Sequence, residues 1–204
     1  MVVDDRLSLQ ERKILLNIAR QTLEAAVKGN ALPPLNLAEL PEKLRAKGAT
    51  FVTLTIEGRL RGCIGALEPY LPLAEDVREH ASAAALQDYR FPPVTPKELP
   101  EIEVEISRLS RPELLDYTNA EDLLQKLRPG IDGVVLADGL HRATFLPQVW
   151  EKIPDKKQFL SQLCLKMGAP PDLWRKKKIE VRTYQVEEFS DMSIASLSAD
   201  DDRS

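Results

Sequence analysis

Long apolar runs are missing from this 204-residue sequence. No stretch approaches the ~20 apolar residues that a membrane-spanning helix requires, so no membrane partner is expected. Asp4, Asp5 and Arg6 precede an amphipathic pattern. A signal peptide is built differently, and a cytoplasmic location is expected. Cysteine is scarce: Cys63 and Cys164 are the two in the chain. They lie far apart without metal-type spacing, which excludes a disulfide scaffold and leaves no metal site to expect; both read as free thiols. Histidine is equally sparse, with His80 and His141 the two candidates for any Cys–His pair. His80 falls between the apolar and polar sides of a helix and is expected at the surface or half-buried. His141 follows a turn and is expected exposed. There is no glycine-rich phosphate loop, zinc pattern or dinucleotide fingerprint, so no cofactor is assigned. The net charge of −4 argues against nucleic-acid binding. The run Arg175-Lys176-Lys177-Lys178 has no aromatic platform beside it and reads as a solvated loop.

What is present is enough for a sizeable core: 43% of the residues are hydrophobic, at a length that suits one domain or two closely fused halves. Ser8 and Glu11 form a capping-box pattern that opens a helix closing at Gly29. Pro41 and Gly48 bracket a short helix. Ala49 to Glu57 reads as a strand, Glu57-Gly58 as a hairpin turn, and Arg59 to Leu67 as the return. A helix follows Pro72 to about Asp88, and Arg90-Phe91-Pro92-Pro93 is a stiff exit. Ile102, Val104 and Ile106 alternate with Glu101, Glu103, Glu105 and Ser107 along a strand.

The second half repeats this order. Thr118 and Glu121 form a capping box, Asp132 to Ala137 and Leu140 to Phe145 flank an Asp138-Gly139 turn, a helix runs from Asp155 to Met167, and Lys178 to Phe189 reads as one last strand. The pattern predicts an α+β fold of two α-β-β-α-β halves, about 35–112 and 113–190, forming an antiparallel or mixed sheet covered by helices. Residues 1–190 form the single domain in this reading, and the small, polar, acidic segment 191–204 is expected to be a disordered tail.

The hairpin carries Leu60-Arg61-Gly62-Cys63-Ile64-Gly65. Glycines on both sides strip side-chain cover from Cys63 and let backbone or ligand approach. Strand alternation puts Arg61, Cys63 and Gly65 on one side, and a cation beside a thiol favours the thiolate. Cys63 is then a nucleophile, a radical relay or a soft metal ligand, or else a small buried hydrophobe. Arg90 either offers a fork to a carboxylate or phosphate, or pairs with Asp88 at the helix end. Glu103 and Glu105 share a face and offer a general base or metal ligands if it lines a cleft, and a solvated face if not. Lys166, in the last turn of its helix, suits the dipole there.

The hexapeptide resembles the signature of the AMMECR family, whose prokaryotic members are protein A of the AmmeMemoRadiSam system. Further matching stretches are Phe51-Val52-Thr53-Leu54, Ala84 through Pro93, Glu98-Leu99-Pro100, Ile106 through Leu109, Gly130 through Gly133 and Ala143 through Val149. The resemblance implies an α+β fold and action with a Memo-type protein and a radical-SAM enzyme in a modification pathway. Cys63 would be the reactive group in a cleft, with Arg61 and Arg90 holding an anionic small molecule or peptide. Gly62, Gly65, Ser107, Thr144 and Gln148 would line the substrate site. The radical-SAM cluster cysteines are absent, so radical chemistry belongs to a partner. The alternative is a non-catalytic protein- or peptide-binding scaffold in which Cys63 is structural.

Overall fold

The computed structural model describes residues 6–191. Of the tail expected over 191–204, Asp191 is described and pairs with Arg20, and the rest lies outside the described residues. In chain order the elements are α1 (Leu9–Val27), α2 (Glu42–Arg45), β1 (Ala49–Ile56), β2 (Arg59–Gly65), α3 (Leu73–Leu86), β3 (Ile102–Leu109), β4 (Glu113–Leu114) and α4 (Ala120–Lys126). They continue with β5 (Gly133–Asp138), β6 (His141–Phe145), α5 (Val149–Lys152), α6 (Lys156–Lys166), α7 (Leu173–Lys176), β7 (Glu180–Tyr184) and β8 (Val186–Ser190). The fold is α+β, with two four-stranded sheets, β2-β1-β3-β8 and β4-β7-β5-β6. Two compact units result: the first ends at Leu109 and takes up the chain again from Glu187, and the second spans Ser110–Val186.

In the first unit, α1 begins with the expected capping box: Ser8 accepts from the Glu11 amide and Glu11 accepts from the Ser8 amide. Leu15, Ala19 and Leu23 of α1 share one core with Val77, Ala81 and Ala84 of α3, and with Val52, Leu54, Val104 and Ile106 of the sheet. The odd-numbered residues of β1 and β3 therefore face away from the helices. Small side chains on α3 let it lie close to β2. A Cβ on Gly62 would stand 2.2 Å from the Ala84 carbonyl oxygen.

In the second unit, Leu123, Val134, Leu136, Phe159, Leu163 and Val181 are buried in a separate core, where Trp150 stacks on Phe159. The strand plan is repeated. A hairpin (β1-β2, β5-β6) is followed by a helix and by a strand that pairs with the first strand of the hairpin (β3 on β1, β7 on β5).

Three expectations shift. The cap of α4 is Asn119, which accepts from the Glu121 and Asp122 amides; Thr118 instead donates its amide to Asp122. The second hairpin turns at Gly139-Leu140, one residue later than expected, because Asp138 pairs with His141. The single strand foreseen over 178–189 is two strands in different sheets, broken at Gln185, whose amide donates to the Ser110 hydroxyl. The alternation shifts phase here, with Ile179 and Val181 followed by Tyr184 and Val186, a signal that the single-strand reading passed over.

Gly62→Ala is expected to cost about 1–3 kcal/mol, since the contact it creates is with helix backbone that cannot rotate away. A chemical denaturation curve measures this, and an unchanged midpoint would mean that α3 is free to shift.

Candidate functional site

β2 is an edge strand. At such an edge, main-chain groups lack a neighbouring strand and must find other partners or water. At Cys63 two side chains supply them. The Cys63 amide donates to Asp88 Oδ2 at 2.8 Å, and the Cys63 carbonyl accepts from Arg90 Nη2 at 3.1 Å. Asp88 and Arg90 are themselves paired through Nε–Oδ1 at 2.9 Å and Nη2–Oδ2 at 2.6 Å. The carboxylate and guanidinium thus stand where the carbonyl and amide of another strand would be.

Burial divides this pair unequally. The Asp88 side chain is 2% exposed and that of Arg90 45%. The Arg90 guanidinium, outweighing the opposing cost of burial, holds the Asp88 carboxyl well below the usual carboxylate range, and Asp88 in turn raises Arg90.

Arg61 does not follow the strand alternation expected of it. Leu54 pairs with Gly62 and Thr55 with Leu60, so Arg61 is the extra residue of a β-bulge. The bulge re-aims its side chain. Nε and Nη2 donate to Glu98 at 2.7 and 3.3 Å, and Nη1 donates to the Pro92 carbonyl at 2.9 Å. Glu98 also accepts from the Thr95 amide and hydroxyl. The Arg61 guanidinium first, then the Thr95 amide, lower the Glu98 pKa to about 2.

The Cys63 side chain is half-buried and accepts a hydrogen bond from the Thr53 hydroxyl at 3.3 Å. Thr53 pairs with Cys63 on one side and with Glu105 on the other, so thiol, hydroxyl and carboxylate form one row on the face turned from the helices. Burial, Glu188 and Glu103 raise the pKa of Glu105 above its ordinary 4.5. Ser107, 7% exposed, lies two positions further along β3 on that face. Among the described residues, no group of three or more His, Cys, Asp and Glu side chains is placed to hold a metal ion.

The glycines serve the fold at this point. Gly62 admits α3, as described, and the space at Gly65 is filled by the Phe51 ring and the Thr50 carbonyl. His80 is buried, not at the surface, and its Nδ1 lies 3.2 Å from Asp76, which also accepts from the Thr50 amide and hydroxyl. His141 is exposed as expected.

Thr144 and Gln148 belong to the second unit. The Thr144 hydroxyl shares a hydrogen bond with Tyr184 at 3.0 Å, and its carbonyl accepts from Lys166 at 2.9 Å. Gln148 precedes α5. The basic run is matched by carboxylates: Lys176 by Asp172, Lys177 by Asp138 and Lys178 by Asp116.

Sequence reasoning put Arg61 and Arg90 on an anionic substrate; in the structure each is engaged by a carboxylate of its own chain. It named Asp88 only as a helix-end partner of Arg90, and gave Thr53 and Glu98 no role. The spacing that joins Thr95 to Glu98 was visible in the sequence. The bulge that sends Arg61 toward Glu98 was not.

A family model described as AMMECR1 matches residues 16–189. A protein of Thermofilum pendens is 38% identical over 201 residues, covering 90% of this chain and 91% of its own. A protein of Methanothermobacter thermautotrophicus is 39% identical over 191 residues, covering 90% and 95%. The crystal structure of an uncharacterised protein from Pyrococcus horikoshii is similar with a TM-score of 0.71 at 34% identity, covering 89% of this chain and 91% of that one.

These charges have three measurable consequences. Asp88→Asn leaves the Arg90 guanidinium without its counter-ion at the strand edge and is expected to cost about 3 kcal/mol. That is the lower end for buried pairs, because Arg90 can rehydrate. In the wild type, the stabilisation from Glu98 is complete above its ordinary 4.5 and lost as pH falls through about 2. Glu105 acts with the opposite sign. Its folded pKa is raised, so its contribution is fully present below 4.5 and is lost as pH rises through the folded value. Glu105→Gln is therefore expected to raise the denaturation midpoint at pH 7 and to flatten its pH dependence above 4.5. A lower midpoint would mean that the carboxylate is stabilising as an anion.

Proposed function

The chain belongs to the AMMECR1 family, and on that premise we propose that Cys63 is the reactive group of a cytoplasmic modification pathway shared with a Memo-type protein and a radical-SAM enzyme. The observation that carries this reading is the contrast at Cys63: its main chain is tied on both sides by Asp88 and Arg90, while the residue is only half-buried and its sulfur has one hydroxyl beside it. A fixed backbone with a reachable side chain is what a reactive group needs for repeated, oriented encounters. Arg61 and Arg90 act here as positioning residues, since their guanidinium groups are already bound. Gly62 and Gly65 allow the strand to be gripped this closely. Ser107 offers a polar contact on the same face.

One observation favours a second reading. Thr53 satisfies the sulfur from inside the sheet, and both arginines are spent on the chain itself. That suits a non-catalytic binding or scaffold module in which Cys63 fills space.

Alkylation separates the two. Cys164 is fully buried, and burial pushes its thiol up. Iodoacetamide is expected to modify Cys63 in the native protein and Cys164 only after unfolding, as read by peptide mass spectrometry. Cys63→Ser is then expected to keep the fold and lose rescue of a deletion strain. Full rescue by a well-folded Cys63→Ser protein would leave the scaffold reading standing.

A further inference from the structure

We propose that the strand face carrying Cys63 receives a cationic group, the amine or guanidinium of a basic side chain or small molecule, held by Glu103 and Glu105 with the Ser107 hydroxyl as a further contact. The inference rests on the reading of Cys63 as the reactive group, and it reverses the charge first expected of the substrate.

Strand pairing fixes what this face carries. Thr55 lies between Leu60 and Glu103, Thr53 between Cys63 and Glu105, and Phe51 between Gly65 and Ser107. All are on the side turned from the helices. The cations of these strands are directed elsewhere or already matched. Arg59 pairs with Ile56 and Arg108 with Thr50, positions that face the helices. Arg61 is bound to Glu98, and Arg90, beside the edge of β2, is bound to Asp88.

Glu103 and Glu105 are half-buried, and neither makes an ion pair or hydrogen bond among the described residues. What acts on Glu105 is burial first, then Glu188 and Glu103, and each of these opposes its charge. An incoming cation relieves that condition. Ser107 is a separate observation. It is 7% exposed, yet its hydroxyl has no partner among the described residues. Buried hydroxyls in folded proteins are normally satisfied. The Phe51 ring, its neighbour on β1, fills the space at Gly65 on the opposite side. An open acceptor beside two unpaired carboxylates suits a group with several N–H donors.

The spacing limits the ligand further. Cys63 and Glu105 flank β1, so their backbones are about 10 Å apart, two strand spacings. A cation at Glu105 therefore belongs to a molecule whose reacting atom is several bonds away, near the sulfur. Leu60, 44% exposed on the same face, offers an apolar neighbour to the stem between them. Lysine and arginine side chains have this build, a charged head on an aliphatic stem. A metal ion is disfavoured, since no group of three or more His, Cys, Asp and Glu side chains converges among the described residues. A bound basic group would bring to this face the positive charge that Arg61 and Arg90, each matched by a carboxylate, do not supply.

The test is an NMR chemical-shift titration of the full-length Cys63→Ser protein, which makes it independent of the thiol. The probes are the N-acetyl amides of lysine and arginine, with that of norleucine as the neutral control. A basic probe is expected to bind and shift the amide resonances of Thr53, Glu105 and Ser107, and the norleucine probe is not. Glu105→Gln and Glu103→Gln are each expected to weaken binding by about fivefold or more, and Ser107→Ala by about threefold. Glu79→Gln, at an exposed position on α3, should leave it within about twofold. Equal shifts with the norleucine probe, equal shifts with magnesium chloride at matched ionic strength, or unchanged affinity in Glu105→Gln would overturn the proposal. In the wild type, Cys63 is expected to react about tenfold faster with trimethylammonioethyl than with sulfonatoethyl methanethiosulfonate, after normalisation to mercaptoethanol. That preference should be lost in Glu105→Gln, and a preference for the anionic reagent would overturn the proposal. The two failures are distinct: a thiol inert to both reagents sinks the reactive-group reading, and basic probes that do not bind sink this one.

Discussion

A carboxylate and a guanidinium standing in for a missing β-strand is the interaction on which this site depends. Strand edges are usually closed by another strand, a helix or water. Here Asp88 and Arg90, two residues apart in one turn, present one acceptor and one donor at the spacing that the Cys63 peptide groups require. Water would satisfy the same groups, but it would not fix them. Because the carboxylate is buried, removing Arg90 leaves a desolvated charge, whereas removing Asp88 leaves a cation that water can reach. The edge is closed without covering the face on which the sulfur lies.

The second unit shows how much of this belongs to the shared plan. Counting ladder pairs from each hairpin turn, Thr53–Cys63 is the fourth pair of the first hairpin and Val135–Thr144 the fourth of the second. The Thr144 carbonyl is also capped by a cation, Lys166 from the end of α6. The two positions share a place in the architecture, but their chemistry differs. One has a thiol with a hydroxyl beside it. The other has a hydroxyl bound to Tyr184, whose ring lies where a Cβ of Gly133 would be. The first hairpin carries one residue more, Arg61, and that insertion brings in Glu98 and Pro92. The elaborated copy is the one with the half-buried cysteine.

The sequence made the helices, hairpins and their duplicated order legible because those depend on local signals: caps, turns and alternation. It also located the residues around Cys63. What it could not supply was partnership. Arg61 sits two residues from Cys63, and strand alternation would aim it at the sulfur's side; one bulged residue sends it to Glu98 instead, 37 positions away. Asp88 was readable as a helix-end partner of Arg90, but its bond to the Cys63 amide joins elements 25 residues apart. The break at Gln185 is a change of partner strand, with β7 and β8 lying in different sheets, and the phase shift between Val181 and Tyr184 was its one local trace.

Proximity of arginine to cysteine in a motif therefore carries two physical meanings, and the partner of the guanidinium decides between them. A free cation would act on the thiol through its charge. A cation already neutralised by Asp88 or Glu98 acts through geometry, by fixing the strand. Both arginines of this site fall in the second class. The ionisable group left on the sulfur's own row is Glu105, and its raised pKa reports a face that tolerates negative charge poorly. A reaction at Cys63 would thus be governed less by a built-in cation than by what a bound partner brings to that face.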